Sequence, residues 1–130
     1  MMTATPVEVE LLALRQATQT YLDGLYEGDA DKIASVFLPS SALTQVFEND
    51  LKITPRDIWL DAVRNRPTPK AQGLSRHDHV LTIDWISDTL AHVKVKCAMP
   101  PRFFTDALSF VKLDGRWQVA QKVFTTELRG

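Results

Sequence analysis

Apolar residues recur at helical spacing over the first third of the chain and at alternate positions over the last half. Leu11, Leu14, Tyr21, Leu22 and Leu25 form one apolar stripe of a helix. Thr5-Pro6-Val7-Glu8 opens that helix as a capping box with proline at its first position, and Gly28 stops it. Asp29 caps a shorter helix carrying Ile33, Val36 and Phe37, which Pro39 should end. Thr54-Pro55 starts a third, with Ile58, Trp59, Ala62 and Val63 expected on its buried side. Between the second and third helices, Ala42 to Phe47 and Leu51 to Ile53 read as short strands around Glu48-Asn49-Asp50.

After Pro67-Thr68-Pro69 and Gly73 the pattern becomes strand-like. The expected strands are His77 to Trp85, Leu90 to Ala98, Phe103 to Leu113 and Arg116 to Thr126. Helices leading into an antiparallel meander is an α+β order. Asp114-Gly115 predicts a two-residue type I′ hairpin, which places Phe110 opposite Val119, Leu108 opposite Gln121 and Asp106 opposite Val123. Phe104, Asp106, Leu108, Phe110, Trp117, Val119, Gln121 and Val123 then share one face, the bulkier and therefore the interior one. Ala91, Val93, Val95 and Cys97 join it from the preceding strand. The opposite face carries Phe103, Thr105, Ala107, Ser109, Val111, Gln118, Ala120, Lys122 and Phe124. Such a weakly polar sheet face suggests a partner surface, and the expected partner is a second copy of the chain in a homodimer.

Composition narrows the field. The 130 residues suit one domain with a core over about 5–127, and 45% hydrophobic with 24% charged residues is ordinary for a globular protein. A formal charge of −1 supplies no electrostatic reason to bind nucleic acid or an anionic membrane. The lone cysteine, Cys97, excludes an internal disulfide. Met1 to Glu10 has neither the basic start nor the apolar run of a secretory signal, so the expectation is a cytoplasmic domain.

The runs Tyr21-Leu22-Asp23-Gly24-Leu25 with Gly28-Asp29, Arg66-Pro67-Thr68-Pro69, Val93-Lys94-Val95-Lys96-Cys97, Phe104-Thr105-Asp106 and Asp114-Gly115-Arg116-Trp117-Gln118-Val119 with Lys122-Val123-Phe124 carry a resemblance. They resemble the "putative lumazine-binding" family of the nuclear transport factor 2-like (ketosteroid isomerase-like, cystatin-like) superfamily, from Val7 to Thr125. The resemblance implies a cone: a highly curved antiparallel sheet around a long N-terminal helix, with a pocket at the open end. Ala107 stands where the family often has an aromatic residue, and Leu38 where it tends to have histidine, so roles at those positions are not carried over. The superfamily includes isomerases, dehydratases, cyclases and non-catalytic binding domains, and fold alone does not choose among them.

Asp106 is the candidate catalytic residue: a carboxylate between Phe104 and Leu108 on an apolar face is suited to acid/base work. Hydrogen bonds from Tyr21, Gln121 or backbone donors would instead make it only an organiser of the pocket. Tyr21, Trp59, Cys97, Phe104, Leu108 and Gln121 are the candidate ligand-binding residues. Cys97 lacks the partners of a nucleophile. His77 and His79 share one side of a strand, but no third ligand accompanies them, so no metal and no cofactor are expected. A second carboxylate, Asp78 or Asp84, depends on a register that a single bulge would change. The leading expectation is a domain binding a small hydrophobic or aromatic molecule. The alternatives are a cofactor-independent acid/base enzyme of isomerase, dehydratase or cyclase type using Asp106, and a protein-interaction module working through the outer sheet face.

Overall fold

A computed structural model describes residues 5–129. Helix α1 spans Pro6–Glu27, and its capping box forms as the sequence predicts: Thr5 accepts from the Glu8 amide while Glu8 accepts from the Thr5 amide. Leu14, Thr18, Tyr21 and Leu22 bury one face of it at helical spacing. Gly28 ends α1 in the left-handed region at φ 67°, which a residue with a Cβ rarely adopts. Gly24 lets α2, Ala30–Ala34, approach closely, since a Cβ there would lie 2.6 Å from Ile33 Cγ1. No helix among the described residues is long and apolar enough to cross a membrane.

The second helix is shorter than its apolar pattern suggests. Asp29 caps it, but Val36 and Phe37 lie beyond its end, and Phe37 begins strand β1, Phe37–Phe47. Pro39 sits inside β1, where pairing with the neighbouring strand is interrupted between Phe37 and Ala42 and a missing N–H costs nothing. Strand β2, Asp50–Pro55, returns through a Glu48-Asn49 turn with both residues at positive φ. Helix α3, Arg56–Asn65, buries Trp59, Leu60 and Val63, while Ile58 and Ala62 face outward. Trp59 and Val63 are buried as expected, but the face is turned so that Leu60 joins them in place of Ile58 and Ala62, and Thr54 makes no cap.

Strands β3, His79–Ser87, β4, Leu90–Met99, β5, Arg102–Leu113, and β6, Arg116–Leu128, follow as a meander. The sheet is open, with order β2-β1-β6-β5-β4-β3. Four neighbouring pairs are antiparallel, but β1 runs parallel to β6, so the curved sheet is mixed where an antiparallel one was expected. The α+β class stands, with α1 packed across the face that carries the core. Ala91, Val93, Val95, Leu108, Phe110 and Val119 are fully buried there beneath Leu14 and Tyr21. Each such side chain contributes about 1.5–3 kcal/mol for a Val, Leu or Phe.

One irregularity positions the site. Asp114 and Gly115 form the predicted hairpin turn, and Phe110 does pair with Val119, but Ser109 then pairs with Gln121. Ala120 is the extra residue of a β-bulge, so beyond it every side chain of β6 changes face. Lys122 and Phe124 turn inward, while Gln121 and Val123 turn out to solvent. Leu108 accordingly faces Lys122, and Asp106 faces Phe124.

Candidate functional site

The bulge brings a lysine into the core beside a carboxylate. Asp106 is fully buried, and its Oδ2 accepts a 2.5 Å hydrogen bond from the Tyr21 hydroxyl. The same oxygen lies 3.8 Å from Lys122 Nζ and accepts from the Cys97 thiol at 3.7 Å. Its other oxygen, Oδ1, meets no donor among the described residues. Three polar groups, from α1, β4 and β6, thus converge on one carboxylate oxygen of β5.

Aromatic rings surround the cation. Lys122 Nζ lies 4.7 Å from the Trp59 ring centre, 4.8 Å from that of Phe124 and 5.3 Å from that of Tyr21. Negative ring faces offset part of the cost of desolvating an ammonium group, and the Asp106 carboxylate offsets more. Tyr21, Phe37 and Trp59 also pack on one another, with ring centres 5.2–6.3 Å apart. These contacts hold the lysine in one place.

The electrostatics fix the protons. Burial and the adjacent Asp106 charge push the Tyr21 hydroxyl well above the usual phenol range, so it stays protonated and donates. Burial, and then the same carboxylate, push the Cys97 thiol up against the opposing pull of Lys122. A neutral, buried thiol is a poor nucleophile.

Above this network lies a cavity of ≈ 290 Å³. Cys97, Phe104, Lys122, Phe124 and Thr126 supply its sheet side, Leu22, Leu25 and Tyr26 its α1 side, and Gln45 and Phe47 of β1 close it. Arg66, Arg76, Asp78 and Arg102 add charge to the lining. Arg76 is neutralised where it stands, bridging Asp78 and, at 2.9 Å, Asp23. Its guanidinium stacks over Tyr26, 4.9 Å from the ring centre.

The predicted site residues divide sharply. Cys97 and Phe104 line the cavity. Tyr21, Trp59, Leu108 and Asp106 are buried one layer behind it, and Lys122 stands between Asp106 and the space a ligand would fill. Gln121 is corrected outright: the bulge at Ala120 puts it on the exposed face, outside the cavity. Of the possible second carboxylates, Asp78 lines the cavity but is paired to Arg76, and Asp84 is exposed. His77 and His79 are both exposed; His77 packs edge-on against Phe103, 5.3 Å away, on the outer side of the sheet. No group of three His, Cys, Asp or Glu side chains gathers to hold a metal ion among the described residues.

The sequence reading missed Lys122 and Phe124, which it had assigned to the outer face, and Arg66, Arg76 and Arg102. Lys122 was hidden because a one-residue bulge leaves no signature in an otherwise regular alternation. The arginines sit where the elements end: Arg66 caps α3, Arg76 lies in the loop after it, and Arg102 opens β5. Periodicity carries no information about where such end residues point.

Solved structures of other proteins share this architecture. A nuclear transport factor 2-like protein of unknown function from Shewanella baltica superposes with a TM-score of 0.85 at 22% identity, covering 98% of this chain and 100% of that one. A second, from Silicibacter pomeroyi, gives 0.83 at 16% identity over 95% and 100%. A ketosteroid isomerase-like protein from Erwinia carotovora atroseptica gives 0.70 at 13% over 92% and 98%. At these identities the likeness is one of fold. Comparison with curated proteins finds no match. A family profile described as "Putative lumazine-binding" matches residues 10–125, nearly the whole of the described chain. With the mixed curved sheet, the N-terminal helix across it and the cavity between them, the chain shares the fold of nuclear transport factor 2-like proteins, and it belongs to the family of that profile.

Proposed function

We propose that this protein, as a single domain, binds a small aromatic or hydrophobic molecule in the cavity between α1 and the sheet. The observation that carries the reading is the cavity of ≈ 290 Å³, lined by Phe47, Phe104 and Phe124 and floored by Lys122. Apolar walls with a few fixed polar groups are the usual character of small-molecule sites. The family description supports a ligand of this size. The test is a thermal-shift screen of the purified protein against lumazines, flavins, steroids and aromatic polyketides. A ligand at a hundred times its dissociation constant stabilises the folded state by about 2.7 kcal/mol, a plain shift. No shift from any class would count against the reading and favour an interaction module.

A second reading, acid/base catalysis without a cofactor, is favoured by the Tyr21–Asp106–Lys122 network. Asp106 does not line the cavity, so its part in such chemistry runs through Lys122. The ammonium is the group presented to a substrate, where it would stabilise a developing oxyanion. Asp106 and Tyr21 would hold it in position. Binding without turnover by any screened ligand would leave the first reading alone.

The proposed protein is cytoplasmic and homodimeric, pairing through the outer sheet face that retains Phe103, Ala107, Val111 and, after the bulge, Val123. A monomer mass by analytical ultracentrifugation at micromolar concentration would contradict the dimer.

A further inference from the structure

The cavity's charge goes beyond an apolar pocket. Four basic side chains line it, Arg66, Arg76, Arg102 and Lys122, against one carboxylate, Asp78. Two of the four are answered from within the chain. Arg76 is paired with Asp23 and Asp78, and Lys122 with Asp106. Arg66 and Arg102 form no ion pair among the described residues.

Their placement makes this informative. Arg66 is partly buried at the end of α3, and Arg102 reaches the same space from the start of β5. Burial holds the Arg66 guanidinium below its usual range, Tyr21 works the other way, and Arg102 lowers it further. Two like charges therefore face one cavity without a counter-ion of their own. Removing Arg66 from water without an anion is unfavourable, and a bound anion would relieve both the desolvation and the repulsion. Planar guanidinium forks match a carboxylate in particular, because each can donate two parallel hydrogen bonds. The aromatic wall of Phe47, Phe104 and Phe124 meanwhile calls for a flat apolar body.

We infer that the cavity selects an aromatic carboxylate, its ring system against Phe104 and Phe124 and its anionic end on Arg66 and Arg102. This rests on the reading of the cavity as a small-molecule site and adds the chemical class. Asp78 is no competitor for the anion's place, since Arg76 already holds it.

The test compares 2-naphthoate with 2-naphthamide, a neutral molecule of nearly the same shape, by isothermal titration calorimetry. The wild-type protein should bind the acid at least about tenfold more tightly than the amide, a difference of about 1.4 kcal/mol. Arg66→Gln and Arg102→Gln should each remove most of that preference, weakening the acid far more than the amide. Arg102 is exposed, so Arg102→Gln keeps the test sound if Arg66→Gln fails to fold. Raising the salt concentration should weaken the acid and spare the amide. Equal affinity for acid and amide would overturn the carboxylate inference and leave the small-molecule reading standing. Binding of neither would overturn both.

Discussion

The Tyr21 hydroxyl of α1 donates a 2.5 Å hydrogen bond to Asp106 Oδ2 of β5, joining residues 85 positions apart at the centre of the fold. The same oxygen faces Lys122, so one carboxylate links the helix, the middle of the sheet and the floor of the cavity. Tyr21→Phe keeps the ring packing and removes only the donor. It should cost about 1.5–3 kcal/mol, the range for a hydrogen bond to a charged group, read from urea denaturation. A loss below about 0.5 kcal/mol would show that the bond contributes little.

Asp106→Asn leaves the Lys122 ammonium buried without its counter-charge and should cost about 3–5 kcal/mol. Lys122→Met preserves the packing of the side-chain stem against Trp59 but orphans the carboxylate, with a similar loss. The double variant Asp106→Asn/Lys122→Met should be less destabilised than the sum of the two, because neither charge then remains alone. Strict additivity in the cycle would mean that the two groups do not interact.

Alkali should destabilise the protein through Cys97 and Tyr21. Both groups are held in their neutral forms, by burial first and by the Asp106 charge second. The unfolded chain releases these protons near the ordinary values of about 8.5 and 10, whereas the folded chain retains them. Their stabilising contribution is complete below the unfolded values and is lost as pH rises towards the folded ones. Each group can lower stability by up to about 1.4 kcal/mol per pH unit in that window. Urea midpoints from pH 7 to pH 10 should fall, and Cys97→Ala should make the fall shallower between about pH 8.5 and 10. A flat profile would contradict the burial of both groups.

Glu10 ties α1 to the β5–β6 hairpin, accepting from Lys112 Nζ at 2.8 Å and from Trp117 Nε1 at 2.7 Å. The Lys112 hydrogen bond leads in holding Glu10 below its usual range, opposed by desolvation and aided by Trp117. This stability is present above the unfolded value of about 4.3 and lost as pH falls through the lower folded value. Glu10→Gln should cost about 1 kcal/mol at pH 7 after solvent screening and flatten the acid limb of the stability profile. An unchanged acid limb would place the titration elsewhere.

Gly28→Ala should cost about 2 kcal/mol or more. Its φ of +67° disfavours any Cβ, and an added one would lie 2.1 Å from Thr68 Cγ2. Because Thr68 sits in the loop just after Arg66, the variant should also weaken ligand binding. A melting temperature within a degree of the wild type would show that the loop yields freely.

Much of the architecture was legible in residue patterns with local causes. The Thr5–Glu8 box, the Gly28 stop and the Asp114-Gly115 hairpin each follow from short-range stereochemistry, and all three formed. The alternation of Ala91, Val93, Val95 and Cys97 identified the core face of β4. Asp106 was correctly placed in the interior, and its Tyr21 partner was among those considered. What escaped was non-local. Pairing of β1 with β6 is decided by packing between distant segments, and so is the extra residue at Ala120. That single residue exchanged Gln121 for Lys122 at the site and changed its character from neutral to cationic. The orientation of α3 was misread for a related reason: ten residues with mixed polarity admit two neighbouring faces that share Trp59 and Val63, and only tertiary packing selects the one that adds Leu60 over the one that adds Ile58 and Ala62.

The central claim is that the cavity holds the ligand, and a blocked cavity tests it most directly. Thr126 lines the cavity from near the end of β6, beside Gln45, and Thr126→Trp would occupy much of the space while replacing no member of the Tyr21–Asp106–Lys122 network. The measurement is calorimetric titration of wild type and Thr126→Trp with the compound that most stabilises the wild type in the thermal-shift screen. The account predicts a folded variant, by circular dichroism, whose affinity has fallen at least about a hundredfold, or about 2.7 kcal/mol. Unchanged affinity in the folded variant would place the ligand elsewhere on the molecule and contradict the account.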